Sequence, residues 1–114
     1  MIVPVTGTDR EAIRGCLLEV RSGILKEDLT EDLRANMDAI RRLFSKVKEA
    51  DERQADRLEL SVNELRLIVR CMQFTMTELD ADEFFNRVGP PLEEAARSLE
   101  KLEAALATGR GSVR

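Results

Sequence analysis

The sequence predicts an all-α fold, an irregular bundle of about four main helices plus one short helix, and three observations predict it. Apolar residues recur at gaps of three and four along most of the chain, the period of a helix that presents one face to a core. Capping side chains stand three residues ahead of acids at several positions, the signature of a helix start. Glycine and proline fall mainly between the periodic segments, where they punctuate rather than interrupt.

The first helix is expected from about residue 9 to residue 22, opened by the capping box Thr8-x-x-Glu11 and stopped by Gly23. Ala12, Ile13, Cys16, Leu17 and Val20 form its inward face. A second helix opens near Asp28 to Thr30, where either residue can cap and Glu31 and Asp32 complement the positive end of the dipole. Its apolar stripe is Leu29, Leu33, Met37, Ile40, Phe44 and Val47, and Arg34, Asp38, Arg42, Glu49 and Arg53 make a solvated opposite face. Beyond Val47 the stretch "KEADERQAD" thins to alanines and charges, so the end falls near 50 or as late as about 57.

Ser61-x-x-Glu64 is another capping box, with Leu60 and Leu65 as its hydrophobic staple, and it opens a helix over 62–79. Asp80-x-x-Glu83 repeats the device, with Leu79 and Phe84 as staple, for a short helix over roughly 81–87 that ends at a left-handed Gly89. Pro90 and Pro91 start the last helix, whose inward stripe is Leu92, Ala95, Ala96, Leu99, Leu102 and Leu106. The segments "IVPV" and "RLEL" are extended in pattern, and a pairing between them is left open. One domain is expected over residues 1–108, with a flexible tail at 109–114.

Composition excludes several function classes. A net charge of −4 with interspersed signs offers no basic patch for a nucleic-acid backbone, so no nucleic-acid partner is expected. No stretch approaches the roughly 18 apolar residues of a membrane span, and "MIVPVTGT" lacks the features of a secretory signal, so the expected location is cytoplasmic with no membrane partner. Cys16 and Cys71 stand far apart without metal or redox spacing and read as small buried hydrophobes.

Histidine is absent, which removes the commonest general base and the activator of serine and cysteine nucleophiles. An EF-hand reading from Asp80 fails, because its sixth position is Phe85 rather than glycine and its twelfth is Pro91 rather than glutamate. Glycine-rich phosphate loops are missing as well. Glu49-x-x-Glu52 resembles half of the metal-binding motif of all-α nucleotide pyrophosphohydrolases. The second half is missing: Glu64 is followed at three residues by Leu67, and Glu78 by Ala81. No catalytic residue, cofactor or metal ligand is therefore assigned.

The helix over 62–79 is apolar on more than one side. Val62, Leu65, Val69, Met72, Met76 and Leu79 form one stripe, while Leu67, Cys71 and Phe74 point elsewhere. Such a helix is either central or lends a second face to another chain, which makes Leu67, Met72, Phe74, Met76, Phe84 and Phe85 the candidate partner contacts. The segment 58–106, with Leu60, Ser61, Glu64, Leu65, Asp82, Phe84, Gly89, Glu93 and Glu94 at its marker positions, resembles a pattern of small uncharacterised bacterial all-helical proteins. The resemblance implies a bacterial cytosolic origin and supplies no active-site residue. The expected function is a non-enzymatic protein-interaction module: an adaptor, an immunity-type inhibitor or a complex subunit, binding a protein partner or itself as a homodimer. The alternatives are a Mg²⁺-dependent hydrolase built on Glu49 and Glu52, and a purely self-associating structural protein.

Overall fold

A computed structural model of the chain describes the backbone of residues 1–111 and the side chains of residues 1–109. Its α-helices are α1 Gly7–Leu18, α2 Glu31–Ala35, α3 Met37–Glu52, α4 Val62–Glu78, α5 Ala81–Val88 and α6 Leu92–Gly111. The only sheet among the described residues is an antiparallel ribbon of β1 Ile2–Pro4 and β2 Arg57–Glu59, so the all-α expectation holds. Residues 109–111, assigned above to the tail, continue α6; residues 112–114 lie outside the described residues. Among the described residues no helix is long and apolar enough to cross a membrane.

Helix α1 is the element around which the others pack, touching α3, α4, α5 and α6. Its face of Ala12, Ile13, Cys16, Leu17 and Val20 is fully buried, as the helical period requires. Its start differs from the expectation. Thr6, not Thr8, is the N-cap: the Asp9 amide donates to Thr6 Oγ1 at 3.1 Å and the Thr6 amide donates to Asp9 Oδ2 at 2.8 Å. Both spacings satisfy the capping rule, and the contacts of Asp9 distinguish them. The Asp9 carboxylate also accepts from Ser98 Oγ and Lys101 Nζ of α6, each at 2.6 Å, which ties the first turn of α1 to a helix some ninety residues later. Glu11, the acid of the alternative box, instead lies against Gly89.

The other end of α1 widens into a single π turn over Glu19–Gly23, closed by the Ile24 amide donating to the Glu19 carbonyl at 2.7 Å. The buried Glu19 carboxylate folds under Gly23, where a Cβ would stand 2.5 Å from Oε2, and pairs with Arg87 of α5. Gly23 thus ends the helix by making room and not by a left-handed φ; among the glycines of the described residues, Gly89 alone is in that region, at +119°.

The single second helix expected from sequence is two. Thr30 caps α2, and Asn36 breaks the ladder: its backbone sits at φ −101° and ψ 15°, and its amide is shared between the Asp32 and Leu33 carbonyls. Asparagine does this readily because its side chain competes for nearby backbone, here donating to the Asp32 carbonyl at 2.8 Å. The apolar stripe survives the kink, with Leu29, Leu33, Ile40, Phe44 and Val47 all buried. Helix α3 ends at Glu52 in a Schellman motif whose left-handed residue is Gln54 at φ +56°: the Gln54 amide donates to Asp51 O and the Ala55 amide to Ala50 O. Arg10 and Arg14 of α1 close that end by pairing with Asp51, both at 3.1 Å, and Arg10 also donates to the Ala55 carbonyl.

The ribbon follows from the same closure. Val3 and Leu58 pair and are buried, while their neighbours point outward, the two-residue alternation of a strand with one covered face. Helices α4 and α5 open at the capping boxes of Ser61 with Glu64 and Asp80 with Glu83, as expected, and the staples Leu60 with Leu65 and Leu79 with Phe84 are buried. Cys16 and Cys71 carry free, buried thiols. Burial pushes the Cys71 thiol up to about 12 and the Cys16 thiol higher still, which leaves both unreactive.

Two measurements check this framework. A Cβ on Gly15 of α1 would stand 2.6 Å from Val88 Cγ1 and 2.9 Å from the Val88 carbonyl of α5, so Gly15→Val is expected to lower stability by about 2–3 kcal/mol in urea denaturation through overpacking. Burial opposes ionisation of Asp9, but bonds from Lys101, Ser98 and the Thr6 amide together hold its carboxyl below the ordinary 3.8. Its folded value is the lower one. The stabilisation it supplies is therefore present above pH 3.8 and is lost as pH falls through the folded value. Asp9→Asn should cost on the order of 1–3 kcal/mol at pH 7 and remove this component from the acid limb of the stability curve, read by denaturant titration between neutral and acid pH.

Candidate functional site

The six side chains that the sequence marks as partner contacts part company in the fold. Met72 and Phe84 are fully buried core residues with no surface to offer, and Leu67 is nearly so, reaching only the floor of a cleft between α3 and α4. Of the second apolar side of α4, Leu67 and Cys71 are covered within the chain and Phe74 is covered only in part. Phe74 and Met76 are half-buried against the core. Phe85 is 54% exposed.

The divergence of Phe84 and Phe85 follows from how α5 is started. Successive helical residues point about 100° apart, so the residue that completes the Leu79 staple turns in and its neighbour turns out. The Asp80 capping box sets that phase: the Glu83 amide donates to Asp80 Oδ1 at 2.8 Å. Arg87 then holds α5 in place from its far end, pairing with Glu19 and donating to the Gly23 carbonyl at 3.1 Å. Gly89 turns the chain in a conformation that L side chains rarely adopt. Pro91 opens α6 by offering its carbonyl to the amides of Glu94 and Ala95.

The result is a shallow, open groove between the first turns of α5 and α6, with a volume of about 490 Å³, lined by Ala81, Phe85, Pro91, Leu92, Glu93 and Ala96. Its walls are mainly apolar. Leu92 and Ala96, assigned from periodicity to the inward stripe of α6, lie half-buried along it. Four of its residues were legible in principle, because Ala81 with Phe85 and Leu92 with Ala96 each stand one turn apart on a helix face. What the sequence could not supply was that the two faces meet.

The stretch of chain that builds the groove is acidic, and Glu93 of its carboxylates lines the groove itself. Residues 78–94 hold six carboxylates and one arginine, a net of −5 against −4 for the whole chain. The arginine, Arg87, is engaged by Glu19 and, at 3.9 Å, by Glu83. Asp80 and Glu83 serve the capping box. Asp82 and Glu93 form no ion pair or side-chain hydrogen bond among the described residues.

Elsewhere, a cleft of about 360 Å³ between α3 and α4 is lined by Ala39, Leu43 and Leu67 with Arg42, Arg70 and Glu64 among its polar groups. Glu64 is tied there. Burial opposes its ionisation, yet the Ser61 amide and Lys46 hold its carboxyl below the ordinary range. Glu49 and Glu52 are exposed near the end of α3, and no group of three acids or thiols among the described residues is arranged to hold a metal ion. In comparisons with known proteins, no family model, no curated protein and no solved structure matches this chain.

The adjacent phenylalanines give a direct check on this division. Phe84→Ala removes a fully buried ring and is expected to cost about 3–5 kcal/mol, whereas Phe85→Ala should stay within about 1 kcal/mol of the parent in the same denaturation experiment. Equal losses would mean that Phe85 supports the core and that the groove is part of it.

Proposed function

We propose that this chain is a non-enzymatic protein-interaction module of the cytoplasm, working as an adaptor, an immunity-type inhibitor or a subunit of a small complex, and that the groove between α5 and α6 is its contact surface. The observation that carries the reading is Phe85. It is the only one of the chain's four phenylalanines classed as exposed, and it lies along a concave surface whose other walls are mostly apolar. Aromatic side chains supply large contact area at low entropic cost, so an exposed ring beside an apolar hollow is the usual form of a binding hot spot. Composition supports the same reading from the other side. With no histidine, proton transfer and nucleophile activation near neutral pH lose their commonest agent.

Phe85→Asp separates binding from folding. The variant is expected to melt within a few degrees of the parent, because the substituted position faces water, and to lose the proteins that the parent chain retains in affinity capture from a native lysate. Light scattering over a wide concentration range should give the monomer mass for both. An identical set of captured proteins would rule out the groove as the contact surface, and a dimer of the parent that Phe85→Asp dissociates would replace a foreign partner with a second copy.

A further inference from the structure

We infer that the groove between α5 and α6 receives a basic amphipathic segment of another protein, with an apolar side chain seated against Phe85 and lysine or arginine side chains on the carboxylates around it. The inference rests on the interaction-module reading and adds the chemistry of the partner. An apolar lining selects an apolar anchor but says nothing about what surrounds that anchor; the charges do.

Acids at a helix start have an ordinary explanation, because they complement the positive end of the dipole, and magnitudes decide whether that explanation suffices here. Each helix N-terminus carries roughly half a positive charge, so the starts of α5 and α6 together offset about one of the net five negative charges over residues 78–94, and Arg97, one turn beyond Glu93 on α6, offsets another. About three remain. Arg87 is already counted in that net and is turned to Glu19. Asp82, three residues before Phe85 and so on its side of α5, and Glu93, in the wall of the groove, have no partner among the described residues. Their field is therefore available to an incoming cation.

The same field removes the competing occupants. A symmetric dimer through this groove would place two copies of the same acidic stretch, Asp82 and Glu93 included, face to face, since an isologous interface brings the same patch together from both copies. An anionic membrane leaflet and a nucleic-acid backbone are repelled in the same way. A divalent cation has no cluster of three ligands to bind among the described residues. What fits an apolar hollow inside a negative rim is a helix whose anchors recur at three- and four-residue spacing with basic residues between them.

The test is a fluorescence-anisotropy titration with three labelled helical peptides that share one set of leucine and phenylalanine anchors and differ at the intervening positions, which are lysine and arginine, glutamine, or glutamate. The basic peptide is expected to bind saturably and roughly tenfold or more tighter than the glutamine peptide, to weaken as salt shortens the screening length, and to bind no better than the glutamine peptide when Asp82 and Glu93 are both changed to lysine. Phe85→Asp, checked for folding by its circular-dichroism melt, should abolish binding of all three. Equal binding of the basic and glutamine peptides, lost together in Phe85→Asp, would overturn the basic partner and leave the interaction module standing. Binding that survives Phe85→Asp would overturn both. Failure of the basic peptide to bind the parent chain would overturn this inference alone, the lysate comparison then deciding the broader reading. A dimer of the parent that depends on Phe85 would overturn it in favour of a second copy.

Discussion

The close approach of α1 to α5 at Gly15 is the constraint on which the rest of the surface depends. Only a residue without a Cβ lets the Val88 backbone come so near, and Val88 is the last residue of α5. With that end of α5 against α1 and Arg87 anchored on Glu19, the rotation of the short helix is set: Phe84 enters the core and Phe85 faces water. A larger residue at position 15 would move α5 outward and take the wall of the groove with it. The groove is thus positioned from the centre of the bundle, by a glycine that does not line it.

Charged side chains do comparable work at the other end of α1. Asp9 and Arg10 are neighbours in sequence, yet they leave the helix in different directions, Asp9 to Ser98 and Lys101 of α6, Arg10 to Asp51 and the Ala55 carbonyl at the end of α3. Both are buried, and each hydrogen-bonds to specific partners, which is the condition under which burying a charge is tolerable. These bonds select one geometry among the several that aliphatic packing alone would permit. They also separate structural charge from the charge at the groove, where Asp82 and Glu93 have no such partners among the described residues.

For the candidate site, the residues were more legible than their arrangement. Phe85 was among the contacts marked from sequence and is the one that the fold leaves exposed; Met72 and Phe84 were marked with it and lie in the core. The pattern could not separate them, because an apolar residue on the second side of a helix looks the same whether another helix of the same chain or another molecule covers it. Helix α4 has most of its two apolar sides covered from within the chain, with Phe74 and Met76 left half-buried.

What the sequence by itself determined is the set of features whose partners lie within a few residues. The boxes at Ser61 and Asp80, the staples, the stop at Gly89, the proline start of α6 and the apolar stripes are all of this kind, because caps and helical periodicity act over one turn. Tertiary structure decided every point where two local solutions were close in energy. Thr6 prevails over Thr8 through bonds that Asp9 makes to residues 98 and 101; the strands pair across more than fifty residues of chain; and α3 ends at a left-handed Gln54 beside an Ala55 whose carbonyl Arg10 takes up. The kink at Asn36 leaves the apolar stripe buried as before, and its cause, a side chain bonding its own backbone, was local but competed with an equally local helix. Local rules rank such alternatives within about a kilocalorie, and contacts between elements far apart in sequence, each worth as much or more, choose among them.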